Sequence, residues 1–342
     1  MMRRKLITMS IAAMLVASCT QEDQLLLLRD GEQAIKFGKV ETRAEVTDAN
    51  QILEFGVFAE MNLGADGPEE PVQYINLLSN ERVYRSNASS DWSYDNKRYW
   101  VNDRTFHFFA VYPLLDNSKI TPFVSEIVPS NPYTCYKINW DTPSEANDDL
   151  MTASATMKTT EGQTVYPAVN FQFEHALAKV NINVQKAGAN TDNKVIVRSI
   201  TISNIKKSGT YNSENKTWQI SEGTGNAMNY TRNNLKVELE LEVDDLDNKV
   251  PIPTSVISGL LFIPQEITEN SIQITVGYTF DGDTYSAQAF IPTTTVREWE
   301  SAKEYTYNLV LGERKNNILF GIPTVSAWLG SERPVGGTII IQ

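Results

Sequence analysis

Apolar and polar residues alternate one by one over long stretches of the chain. Leu235, Val237, Leu239, Leu241 and Val243 alternate with Lys236, Glu238, Glu240 and Glu242. Ala176, Ala178, Val180, Ile182 and Val184 do the same against Lys179, Asn181, Asn183 and Gln185. So do Ile272, Ile274, Val276 and Tyr278, and again Tyr305, Tyr307, Leu309 and Leu311. Side chains on a strand point to opposite faces in turn, so this period of two predicts strands with one buried and one wet face. Polar turn signals separate the runs: Lys207-Ser208-Gly209, Asp244 to Asn248, and Asp281-Gly282-Asp283, the last with hairpin chemistry. No stretch keeps apolar residues at helical spacing over several turns. The pattern predicts an all-β protein of antiparallel β-sandwiches rather than a parallel α/β sheet.

At 342 residues the chain is long enough for about two cores. The polar stretch Thr159 to Gln163 is the expected boundary, giving an N-terminal domain over 35–160 and a C-terminal domain over 161–342. A dense aromatic strand, Phe106 to Tyr112, lies in the first. The six Trp residues are spread along the chain and read as core plugs; a carbohydrate platform would gather them in polar loops. Trp92, in a serine-rich stretch, is the candidate exposed exception.

The N-terminus reads as an export signal. Arg3, Arg4 and Lys5 precede a short apolar run from Leu6 to Ala17, which ends in small residues before Cys19. The run is too short for a comfortable membrane span and reads as a signal peptide over 1–18. The placement of Cys19 resembles a bacterial lipobox, in which the thiol is acylated and becomes the first mature residue. The acidic residues that follow at Glu22 and Asp23 resemble a surface-export signal of Bacteroides-type lipoproteins. Residues 19–34 then form a tether. With Cys19 acylated, Cys135 has no partner for an intrachain disulfide.

The charge balance excludes some functions. Thirty Lys and Arg against 42 Asp and Glu leave −12, which repels phosphate backbones and argues against nucleic acid. With two His and two Cys in the whole chain, little material remains for a transition-metal site or a Cys/His nucleophile. His107 and His175 read as hydrogen-bonded sandwich residues. Asp148-Asp149 and the trio Asp244, Asp245 and Asp247 lack EF-hand spacing and read as solvated turns. No nucleophile elbow is present. The expectation is a non-enzyme that needs no cofactor and no metal.

Short β patterns recur in a telling order. They are Ile35-Lys36-Phe37, Thr42-Arg43-Ala44, Phe55 to Ala59, Phe108 to Pro113, Asp149-Leu150-Met151, Phe173-Glu174-His175, Leu177 to Val180, Gly209-Thr210-Tyr211, Leu260 to Gln265, and Trp299 leading to Tyr307. Together with Cys19 they resemble the fimbrillin family, the pilins and pilin-associated lipoproteins of Bacteroides-type bacteria, over nearly the whole mature chain. The resemblance implies two tandem transthyretin-like sandwiches and a place in fimbriae on the outer membrane, at the cell surface. It also implies assembly with other fimbrial subunits, either copies of itself or accessory ones. In the resembled route a trypsin-like protease cuts after an Arg, the first strand leaves, and a strand of another subunit fills the groove.

The residues offer these parts. Ile35, Phe37 and Val40 are the apolar positions of the removable strand, Arg43 the cleavage point with Arg29 an upstream alternative, and Cys19 the link to outer-membrane lipid. Ile339, Ile340 and Ile341, after Gly336-Gly337, are a candidate donor strand, or equally the last resident strand of their own domain. Two functions stay open: a structural or accessory fimbrial subunit, and a non-polymerising surface lipoprotein that binds a host glycan or protein.

Overall fold

A computed structural model describes residues 33–42, 51–64, 73–124, 133–188, 192–311 and 318–328. Cys19, Arg29, Arg43 and Ile339 to Ile341 lie outside them. The described residues are strands, loops and single turns of 3-10 helix, and no helix among them is long and apolar enough to cross a membrane.

In chain order the strands are β1 (Phe37–Thr42), β2 (Glu54–Gly64), β3 (Gln73–Tyr84), β4 (Thr105–Tyr112), β5 (Ile120–Val124), β6 (Thr134–Asp141), β7 (Met151–Lys158) and β8 (Val169–His175). Next come β9 (Ala178–Lys186), β10 (Val195–Lys206), β11 (Ser208–Asn212), β12 (Thr217–Ile220), β13 (Ala227–Arg232), β14 (Val237–Glu238), β15 (Leu241–Val243) and β16 (Lys249–Pro251). The last are β17 (Thr254–Phe262), β18 (Gln265–Glu266), β19 (Gln273–Phe280), β20 (Asp283–Phe290), β21 (Glu298–Trp299), β22 (Lys303–Leu311), β23 (Ile318–Phe320) and β24 (Thr324–Ala327).

The first sheet has the order β1-β8-β7-β4-β2-β3. The period of two works out residue by residue: Phe55, Val57, Ala59 and Met61 of β2 and Phe106, Phe108 and Ala110 of β4 point into one core, with Val169, Phe171 and Phe173 of β8. Phe58, Phe109 and Val111 point the other way, onto a second sheet of order β12-β11-β6-β5. Two further sheets, β13-β10-β19-β20 and β17-β9-β22-β23, close over a separate core. Val180, Ile182, Val184, Tyr305, Tyr307 and Leu309 enter it from one side, and Ile200, Ile202, Ile274 and Val276 from the other. The Asp281-Gly282 pair makes the expected tight hairpin between β19 and β20, both residues at positive φ (49° and 96°).

Several expectations need correction. The boundary at 160/161 falls between β7 and β8, which are neighbours in one sheet, so Val169–His175 joins the first core rather than the second. The polar stretch there is a surface turn, tied back by hydrogen bonds from Thr159 to the carbonyls of Val101 (2.6 Å) and Arg104. The expected single strand over Leu235–Val243 is broken. Leu239 is buried and bonds Val195, but the chain then leaves into the β15–β16 ribbon, where Val243 is 64% exposed. At Lys207-Ser208-Gly209 the chain crosses from β10 to β11 without turning back, steadied by the Asn226 side chain. Among the described residues the sheets are largely antiparallel, with two parallel ladders: β1 on β8 and β22 on β9.

Of the tryptophans, Trp100, Trp140, Trp299 and Trp328 are buried. Trp92 is half-buried, edge-on to Phe55 (4.9 Å) and under the Arg85 guanidinium (4.4 Å). It is a partly packed residue rather than an exposed platform.

Candidate functional site

The six-stranded sheet has two edges, β1 and β3, and the segment Ser93–Trp100 stitches them together. On one side Ser93 bridges Tyr84 of β3, and Arg98 Nε donates to the carbonyl of Leu77 (2.8 Å). On the other side, the N–H of Ile35 donates to the Arg98 carbonyl (2.8 Å) and that of Trp100 to the Gln33 carbonyl (3.3 Å). The chain from Gln33 to Thr42 therefore closes the sheet into a ring.

Its opposite flank is held by β8. The Val169 N–H donates to the Lys36 carbonyl (2.8 Å), and Val40, Glu41 and Thr42 then pair with Phe171, Gln172 and Phe173. Gln33 adds two side-chain bonds to the backbone of Tyr166. A register shift lies between Phe37 and Val40, where three steps of β1 face two of β8. That bulge explains why the apolar positions of this strand are spaced two and then three apart.

The side chains below fill the core. Ile35 (1% exposed) and Phe37 (6%) are buried, and Val40 packs partly against the same cluster. The Phe37 ring sits 5.3 Å from Tyr94, 5.9 Å from Phe171 and 6.4 Å from Phe108, centroid to centroid. Such aromatic contacts contribute beyond buried area alone. Tyr94 closes the pocket: its hydroxyl donates to the Ile35 carbonyl (3.0 Å) and accepts from the Arg98 N–H (3.1 Å), and burial pushes its ionisation upward. Removing residues 33–42 would uncover Ile35 and Phe37 contacts worth about 1.5–3 kcal/mol each, along with backbone groups on both flanks.

The structure packs Ile35, Phe37 and Val40 against one cluster, and the sequence reading had grouped the same three. It missed the residues that hold them: Tyr94, Arg98, Trp100, Tyr166 and the β8 strand. The one available signal was the aromatic density of Tyr94-…-Trp100 beside an isolated apolar triplet.

A second buried cluster lies where the cores meet. His175 Nδ1 is 2.7 Å from Asp149 Oδ2, and its ring stacks on Trp328 (3.5 Å, 13°). All three are buried. His107 half-packs on Tyr133 (5.2 Å) with Nδ1 3.2 Å from Thr156 Oγ1. Both histidines thus have polar partners within the β framework. Asp244 accepts from the N–H groups of Leu246 and Asn248, a turn-forming role. Among the described residues no group of three or more His, Cys, Asp or Glu is arranged to hold a metal.

These features define a class: an all-β protein of stacked sheets whose first core is completed by a short N-terminal edge strand. The chain belongs to the fimbrillin-like family, whose profile matches residues 42–328, starting where β1 ends. Membership makes it a fimbrillin-like surface protein. No curated protein matches it. Among solved structures it is similar to a candidate cell adhesion protein of Bacteroides ovatus (14% identity, TM-score 0.48, 86% of this chain and 99% of that one). A second such protein, from Bacteroides uniformis, has 15% identity and a TM-score of 0.46 over 86% and 98% of the two chains. The tip fimbrial protein Mfa3 of Porphyromonas gingivalis, truncated at its C-terminus, has 11% identity and a TM-score of 0.34 over 86% and 100%.

Proposed function

We propose that this protein is a structural or accessory subunit of surface fimbriae, exported as a lipoprotein through Cys19 to the outer membrane. In this reading a trypsin-like protease cuts after Arg43, the strand carrying Ile35, Phe37 and Val40 leaves, and a strand of another subunit takes its place. The single observation that supports it is the setting of β1. A six-residue strand at a sheet edge completes the first core with buried Phe37, the buried Ile35 lies two residues before it, and Arg43 follows its last residue directly in the sequence. A cut there separates β1 covalently from the other described strands, β2 to β24, and leaves those in one chain. Strand addition to the vacated edge is the β-augmentation mode of recognition. The role is structural rather than enzymatic.

Two measurements test this. Fibre-incorporated protein should begin at Ala44 on N-terminal sequencing; copies that all begin at Cys19 would rule out strand removal. Cys19→Ser should yield protein that no longer partitions into detergent, and a variant that stays membrane-bound would remove the lipoprotein part of the proposal.

A further inference from the structure

The contacts of β1 specify what else could lie in its place. Ile35 is buried in the first core, and two residues on, Phe37 fits a ring-shaped slot walled by Tyr94, Phe108 and Phe171. At the bulge the backbone passes so close to the loop before β8 that a Cβ on Gly38 would stand 2.9 Å from the Ala168 Cβ and 2.5 Å from Asn170 Oδ1. Asn170 cannot simply swing away without loss, because the same oxygen accepts the Lys39 N–H at 2.7 Å. Val40 then returns to the apolar side. The seat therefore has the form apolar, any, aromatic, glycine, any, apolar.

The chain's own segment 329–342 does not supply that form. It contains no aromatic residue. With Ile339 and Ile341 at the Ile35 and Phe37 positions, Gln342 falls at the glycine position; with the direction reversed, Thr338 does. Either choice leaves an aliphatic side chain in the ring slot and a Cβ against Ala168. Sliding Gly337 or Gly336 to the glycine position puts Val335, Gly336, Gly337 or Thr338 in the ring slot.

We propose that the seat of β1 selects its occupant by an aromatic ring at the Phe37 position followed by glycine. It accepts a strand of a different subunit with that signature and discriminates against the 329–342 segment of a second copy. The proposal rests on the strand-exchange reading above and adds its specificity: this chain is joined at its first core by a partner unlike itself.

The test uses the purified chain cut with trypsin and a fluorescent peptide of Gln33–Thr42, followed by polarisation. The native peptide should bind, Phe37→Ile and Gly38→Val peptides should each bind about tenfold more weakly, and Phe37→Ala about 100-fold more weakly. A peptide of residues 329–342 should bind no better than Phe37→Ala. If the native peptide fails to bind, strand exchange itself is wrong. If all peptides bind alike, exchange stands and the selectivity is overturned. A measurement on the uncut chain decides the selectivity independently: Phe37→Ile and Gly38→Val should each speed hydrogen exchange of the Val169 amide about tenfold. Unchanged exchange in both would overturn it.

Discussion

Among the described residues two strands run parallel to a neighbour, β1 against β8 and β22 against β9, and they are held in different ways. β22 pairs without interruption from Glu304 on Lys179 to Leu311 on Lys186, and β23 and β24 cover its other side. It buries Tyr305, Tyr307, Leu309 and Leu311 in the middle of a sheet. β1 is shorter, interrupted by a bulge, and sits at an edge, with Phe37 its one buried side chain and Ile35 buried two residues upstream. The same local geometry thus serves a strand held between neighbours and one at a sheet edge, whose upstream flank is the loop segment Ser93–Trp100; the proposed function makes the second the strand that leaves. The proposed detachment rests on sheet position, which no composition rule for strands would reveal.

The largest effect should come from breaking the resident strand. Tyr307→Ala removes a core ring and leaves the Trp299 indole N–H, now donating to it at 2.9 Å, without a partner. A loss of about 3–5 kcal/mol is expected in urea unfolding. Phe37→Ala should cost less globally, because the penalty saturates once β1 has unseated. Local exchange at Val169 should rise about 100-fold while the second core keeps its midpoint, and adding Ile35→Ala should give less than the sum of the two changes.

A smaller effect is pH-dependent. Burial pushes the Tyr305 hydroxyl in β22 up to about 12. An unfolded tyrosine ionises near 10, so the folded state is favoured below that value and loses this contribution as pH rises from about 10 towards 12. Tyr305→Phe should flatten that alkaline decline in stability. Beside β1, burial also raises Tyr94, and displacing β1 should return its titration, followed by ultraviolet absorbance, towards 10. The smallest effect belongs to His107, whose ionisation is lowered by burial, with Glu60 opposing. A depressed histidine gives stability at neutral pH that fades as pH falls below about 6.5. His107→Gln should remove that modest acid-side slope.

Much of the strand inventory was legible because burial on one face forces alternation, as in β9, β19 and β22. The apolar triplet of β1 was legible too, but its uneven spacing needed the bulge to explain it. Partnerships were not legible. β1 lies on β8, far along the chain, and a parallel ladder leaves no local turn signal. The polar turn at Thr159–Gln163 looks the same whether it divides two cores or joins two strands of one sheet, and that ambiguity misplaced Val169–His175. The pocket around Phe37 was hidden for a similar reason, since Tyr94, Phe108 and Phe171 come from three separate segments.

Hydrogen exchange before and after trypsin cleavage tests most directly whether β1 is a removable part of an otherwise complete fold. Cutting after Arg43 and separating the released strand should strip protection from 94–100 and 166–173, while 179–186 and 303–311 keep theirs. Loss of protection in all four segments would mean that β1 is essential to the whole fold. Unchanged protection at 166–173 after the strand is gone would mean that it never completed the first core.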